Sequence, residues 1–214
     1  MSEYAITVEN LTKKFNETTV LKNINLCFEK GKIHGIIGRN GSGKTVLFKC
    51  IVGFMPVSSG VITVNGRKIG TGVKVASDMG IIIEAPGFLP HYSGYKNLKM
   101  LAKIRNTISK EDIFSAMETV GLDPKSKKHV GKYSLGMRQR LGIAQAIMEN
   151  PSTLLLDEPM NGLDNQGVED MRKLFMNLRE QGKTILVASH SREDINILCD
   201  TVYEMHAGTV DHIM

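Results

Sequence analysis

Hydrophobic positions at the front of the chain fall into strand-like segments. They are Ala5 to Val8, Leu21 to Phe28, which stops at Glu29-Lys30-Gly31, and Ile33 to Ile37, which runs into a glycine-rich loop. Thr45 to Val52 contains neither Pro nor Gly and predicts a helix after that loop. Val61 to Val64 followed by Asn65-Gly66 predicts a strand entering a tight hairpin turn. The front is therefore expected to join antiparallel strands to a strand, loop and helix core. From Gly94 to about Gly121 helix formers dominate, and Ser109 followed three residues later by Asp112 resembles a helix-starting box. A helical subdomain, inserted over roughly residues 86–150, is expected.

The last third alternates again. Leu154 to Leu156 is followed by a segment with Val168, Met171, Leu174, Phe175 and Leu178 on one helical face, then by Thr184 to Ala188. That order predicts parallel strands with crossover helices. The chain has 214 residues, of which 42% are apolar, enough for one α/β unit, so residues 1–214 are read as a single domain. No internal repeat, low-complexity tract or linker interrupts it. After Val202 to Met205 and a turn at Gly208 the pattern predicts no regulatory domain.

Composition narrows the classes. The longest apolar stretches, such as Ile81 to Ile83, Leu154 to Leu156 and Ile185 to Ala188, fall far short of the roughly 18 residues of a membrane span. The N-terminus has no basic stretch followed by an apolar run, so a cytoplasmic location is expected. Cys27, Cys50 and Cys199 are odd in number and scattered, which suits small buried hydrophobes in a reducing compartment. The net charge of +5 comes from basic residues interspersed with acids, so no nucleic-acid partner is expected.

Chemistry concentrates at Gly38-Arg39-Asn40-Gly41-Ser42-Gly43-Lys44-Thr45, which fits G-x-x-x-x-G-K-[ST]. Its glycines let backbone N–H groups turn inward around phosphate oxygens. Lys44 would reach the β and γ phosphates of a nucleotide and the Thr45 hydroxyl would ligate Mg²⁺. The helix beginning at Val46 would aim its positive end at the same anion. An ordinary glycine-rich turn could match the pattern, but a strand before it and a helix after it favour a nucleotide site. Gly38, Asn40, Gly41, Ser42, Gly43, Lys44, Thr45 and Val46 are accordingly read as binding it. Downstream, Leu154-Leu155-Leu156-Asp157-Glu158 has the form of a buried strand ending in two carboxylates, placing Asp157 beside the metal and Glu158 one residue further out.

Tyr133-Ser134-Leu135-Gly136-Met137-Arg138-Gln139-Arg140 resembles the ABC signature, as a variant of Leu-Ser-Gly-Gly-Gln, and it precedes Asp157 by about twenty residues. Asn161-Gly162-Leu163-Asp164 resembles the D-loop of the same family, and Ala188-Ser189-His190 its switch region. Phe15 stands where that family carries an aromatic. Taken singly, Ser134 could be a helix cap, Phe15 a core or loop aromatic, and His190 a capping or surface histidine. The resemblance to ABC ATPases runs from about Ile6 to Gly208. It implies an α/β fold with a P-loop NTPase core, an antiparallel β subdomain and a helical subdomain.

The resemblance further implies that Phe15 stacks on adenine and that two domains meet head to tail. Ser134, Gly136 and Asp164 would then contribute to nucleotide held by a second copy or a homologous ATPase. Glu158 would orient or deprotonate the attacking water, His190 would contact the γ-phosphate, and Lys44 would complete the catalytic set. Opening and closing would pull on a separate integral-membrane permease, placing the chain peripherally on the inner face of the membrane. A non-transport ABC ATPase acting on nucleic acid or in translation is the alternative. Such chains usually carry a long coiled-coil insertion or two domains, and about ninety residues without sustained heptads separate Thr45 from Ser134.

One position departs from the family. Gly80-Ile81-Ile82-Ile83-Glu84-Ala85-Pro86 carries glutamate where most members have the Q-loop glutamine. A carboxylate binds a hard cation more strongly than an amide but donates no hydrogen bond. Glu84 is therefore grouped with Thr45 and Asp157 as a metal ligand, against the alternative of a solvated loop acid. With Ala85-Pro86-Gly87-Phe88, Ser134-Leu135-Gly136-Met137 and Pro159-Met160-Asn161-Gly162-Leu163-Asp164, it resembles the branch serving bacitracin resistance and lantibiotic immunity. That implies export or expulsion of a peptide antibiotic.

Overall fold

A computed structural model describes residues 3–69, 76 and 78–214. The first elements are β1 (Tyr4–Phe15), β2 (Thr18–Glu29), β3 (Ile33–Ile37), α1 (Lys44–Ile51), β4 (Ser59–Val64) and β5 (Arg67–Ile69). Next come β6 (Met79–Ile82), α2 (Gly94–Arg105), α3 (Lys110–Thr119) and α4 (Leu135–Ile147), with a short 3₁₀ turn at Val130–Lys132 before α4. The chain ends through β7 (Thr153–Asp157), α5 (Asn165–Glu180), β8 (Thr184–Ser189), α6 (Arg192–Leu198), β9 (Thr201–His206) and β10 (Thr209–His212).

Two sheets result. One is antiparallel with four strands in the order β2-β1-β4-β5; the other has six in the order β10-β9-β3-β8-β7-β6. Within the larger sheet β9, β3, β8, β7 and β6 run parallel and β10 returns antiparallel. The predicted crossover pattern of the last third is therefore present. Asn65-Gly66 closes the β4–β5 hairpin with Val64 opposite Arg67, and both turn residues have positive φ, 47° and 76°, as a two-residue turn matching strand twist requires. β1 is longer than the Ala5 to Val8 segment. Bulges at Val8/Leu11 and beyond, with Asn10 at φ 50°, carry it on through polar positions to Phe15.

The central parallel strands β3, β7 and β8 are buried on both faces, which explains their largely apolar runs. Alternation still sorts their side chains. Leu154, Leu156, Ile185 and Val187 pack toward the helical subdomain, while Leu155, Leu186 and Ala188 pack with Phe28, Leu47 and Ile62 under the antiparallel sheet. The same period exposes Cys27 between buried Leu26 and Phe28, so the expectation of a buried thiol fails there. Cys50 and Cys199 are buried, and burial pushes their thiols up to about 11 and about 12.

The helical subdomain lies between β6 and β7 in sequence and sits against β6 through α4. The Ser109 box exists: its hydroxyl accepts from the Asp112 N–H at 3.2 Å, and the Asp112 carboxylate accepts from the Ser109 N–H at 2.7 Å. Close approach at Gly80 sets the spacing of α4 over the sheet, because a Cβ there would stand 1.9 Å from the Ala146 carbonyl oxygen. We expect Gly80→Ala to force the two layers apart and to destabilise the fold by about 2 kcal/mol, lowering Tm by roughly 4–8 °C in a thermal melt. An unchanged melting temperature would show that α4 moves off the sheet freely.

Candidate nucleotide site

The loop after β3 curls into a cradle whose backbone only glycine can follow. Gly41 and Gly43 have φ of 80° and 111°, and a Cβ on Gly38 would lie 2.5 Å from the Met205 carbonyl oxygen and 2.7 Å from Ser42 Oγ. α1 begins directly at Lys44. Among the described α-helices it alone lacks a side-chain cap; Ser93, Ser109, Ser134, Asp164 and Ser191 cap the others. Its first-turn N–H groups thus keep their capacity for an anion, and no acid lies in that turn to compete. Ser42 Oγ is buried without a hydrogen-bond partner, a polar atom that a phosphate oxygen would satisfy.

Around this cradle lies a cleft of about 360 Å³, lined by Val20, the loop and helix residues from Asn40 to Val46, Asp157 and Glu158. Lys44 is buried and donates to the carbonyls of Gly38 at 2.6 Å and Arg39 at 3.4 Å. Thr45 Oγ1 donates to Asp157 Oδ2 at 2.7 Å, joining the start of α1 to the end of β7. Burial raises the Asp157 carboxyl above its ordinary range, opposed by the Thr45 hydrogen bond and reinforced by the neighbouring Glu158 charge. A divalent cation would reverse that balance. Two hard oxygen donors on rigid elements, facing a cradle for phosphate oxygens, suit Mg²⁺, which keeps waters and substrate oxygens in its shell.

Glu158 follows at φ 50°, a left-handed conformation unusual for a non-glycine residue. Its N–H is fixed to the Ala188 carbonyl at 2.8 Å, and its Oε2 lies 2.9 Å from His190 Nδ1. The end of β7 and the end of β8 thereby bring together two residues that are far apart in sequence. Sequence reasoning missed what holds them from behind. Gln139 of α4, buried, donates to the carbonyls of Glu158 at 3.2 Å and Pro159 at 2.9 Å. It lay within the quoted signature, but nothing in a linear pattern says where its amide points.

The remaining candidates lie elsewhere. Ser134 caps α4 by accepting from the Met137 N–H at 3.1 Å, and Gly136 packs against the Gly162 carbonyl, 3.0 Å from where a Cβ would be. Neither lines the cleft. Asp164 caps α5 through the Gly167 N–H at 2.8 Å. Phe15 is exposed at the end of β1, with the Lys13 ammonium 4.8 Å from its ring centre. Glu84, at φ 60°, is not among the residues lining the cleft; its Oε1 accepts from Lys49 Nζ at 2.7 Å. It borders a second cavity, of about 420 Å³, that runs between β6 and the helical subdomain past Pro86, Ile104, Arg105 and Glu149. Among the described residues no helix is long and apolar enough to cross a membrane.

The ABC transporter family matches residues 21–161. The bacitracin transport ATP-binding protein BcrA of Enterococcus faecalis is 44% identical over 208 residues, covering 96% of this chain and 68% of that protein. The lantibiotic transport ATP-binding protein SrtF of Streptococcus pyogenes is 34% identical over 203 residues, covering 95% of this chain and 87% of that one. Among solved structures, the ATP-binding cassette MJ0796, in a dimeric post-hydrolysis state with ADP and Pi, superposes with a TM-score of 0.86 at 22% identity over 96% of each chain.

Proposed function

This chain belongs to the ABC transporter family, and on that premise we propose that it hydrolyses Mg²⁺-bound ATP between two head-to-tail copies to drive a separate permease that expels a peptide antibiotic. The carrying observation is the meeting of two pairs at one cleft: Thr45 with Asp157 and, beside them, Glu158 with His190.

Lys44 would exchange the Gly38 and Arg39 carbonyls for β- and γ-phosphate oxygens, while the α1 N–H groups and Ser42 Oγ receive others. Thr45 and Asp157 would hold Mg²⁺, which supplies neutralisation of the charge that develops on the transferred phosphoryl group. Glu158 would accept a hydrogen bond from a water aligned on the γ-phosphorus and take its proton as the oxygen–phosphorus bond forms. The bond to the β–γ bridging oxygen breaks in the same displacement, giving ADP and phosphate. His190 would keep the carboxylate in place and reach toward the γ-phosphate. Ser134 and Gly136 are outside their own chain's cleft, which supports a role on nucleotide held by the second copy.

The cavity beside Glu84 is where a permease segment would be received, because it joins the loop carrying Glu84 to the helical subdomain. The bacitracin and lantibiotic transport proteins among its relatives support a peptide antibiotic as the expelled substrate. In cells carrying the permease, wild type is expected to shift the growth-inhibition curve of such an antibiotic. Glu84→Ala is expected to lose that protection and to raise the Mg²⁺ concentration for half-maximal hydrolysis. Growth curves and a Mg²⁺ titration measure both. Absence of protection by wild type would remove the substrate class; wild-type behaviour of Glu84→Ala would make Glu84 a solvated loop acid.

A further inference from the structure

Lys49 belongs to no motif, yet its place on α1 gives it a relation to the cation site. It follows Thr45 by four residues, so the two side chains share one face of the helix, one turn apart. Thr45 is tied to Asp157, and Lys49 is tied to Glu84 at 2.7 Å. The Glu84 carboxylate is thus held by a residue one helical turn along from the hydroxyl proposed to meet the metal, near enough for its charge to act on Asp157. Glu84, at φ 60°, lies two residues beyond the end of β6, and its side chain is 64% exposed, with solvent room in which to swing.

We propose that Lys49 is a positioning residue that parks Glu84 away from the cation site, and that Mg²⁺-nucleotide and the Lys49 ammonium compete for this carboxylate. The inference rests on the cation site proposed above. A glutamine at the same place would form no ion pair, so this control exists only because residue 84 is an acid. Lys49 also balances a negative charge that would otherwise stand near Asp157 and Glu158. Without it, Glu84 is free to meet a cation and repels the triphosphate when no cation is present. Both effects increase the benefit that Mg²⁺ brings to nucleotide binding.

The test reads binding rather than turnover. In a full-length chain carrying Glu158→Gln, a fluorescent ATP analogue is titrated with Mg²⁺ and with a chelator, and the ratio of the two affinities is taken. Lys49→Met, and Lys49→Gln as a second variant, are expected to raise that ratio about two- to fivefold, the range of an exposed ion pair. Lys49→Arg should match the parent. In a Glu84→Gln background Lys49→Met should change nothing. An unchanged ratio, or the same rise with Glu84→Gln, overturns the tether while leaving the nucleotide site standing. Parent binding that ignores Mg²⁺ overturns the cation site, and the tether with it.

Discussion

Glu158→Gln is expected to slow steady-state ATP hydrolysis by at least about two orders of magnitude while ATP still binds, as loss of a positioned general base does. The substitution keeps the shape of the side chain and its reach to His190 Nδ1, 2.9 Å away, but removes the group that can take a proton. Lys44, Thr45 and Asp157 hold the phosphate side of the cleft independently of it. ATP that binds and is not cleaved should keep two copies together. A dimer dependent on ATP should therefore accumulate in size-exclusion chromatography, where wild type with Mg²⁺ is expected to run as monomer after turnover. Hydrolysis close to wild type would exclude Glu158 as the base and leave it as a strained structural carboxylate.

Ser134→Arg should abolish hydrolysis and leave the nucleotide affinity of the isolated monomer nearly intact. Ser134 lies at the start of α4, outside the cleft formed by Asn40 to Val46, Asp157 and Glu158 of its own chain. A long cation there would intrude on whatever the partner presents. The lost helix cap costs about 1 kcal/mol, too little to unfold a chain of this size. Intact monomer binding in an equilibrium titration, beside absent turnover, is thus the discriminating result. If affinity and activity fell together, Ser134 would serve its own chain's site and the head-to-tail arrangement would not hold.

Much of this was legible in linear form because the phosphate site is local. A strand, six residues of loop and the first turn of a helix form one continuous segment, and the positions of Gly41 and Gly43 are dictated by backbone dihedrals that only glycine adopts easily. The apolar run before Asp157-Glu158 was equally readable, since a strand buried on both faces has to be apolar throughout. The Asn65-Gly66 turn and the Ser109 cap could be found for the same reason: each depends on a few consecutive residues. β1 was underestimated because bulges let a strand pass through polar positions without alternation.

Tertiary structure decided what depends on distance. His190 meets Glu158 only because β7 and β8 are neighbours in the sheet and both end at the cleft. Gln139 supports the same corner from a helix of the inserted subdomain, and Glu84 is taken up by Lys49 from a helix that precedes it by more than thirty residues. The sequence by itself determined the chemistry of each segment, through backbone preference and burial period, and with them the family. Which side chain neutralises, caps or positions which other was set by strand order and helix packing, because an ion pair or hydrogen bond acts over about 3 Å in space and leaves no periodic trace along the chain.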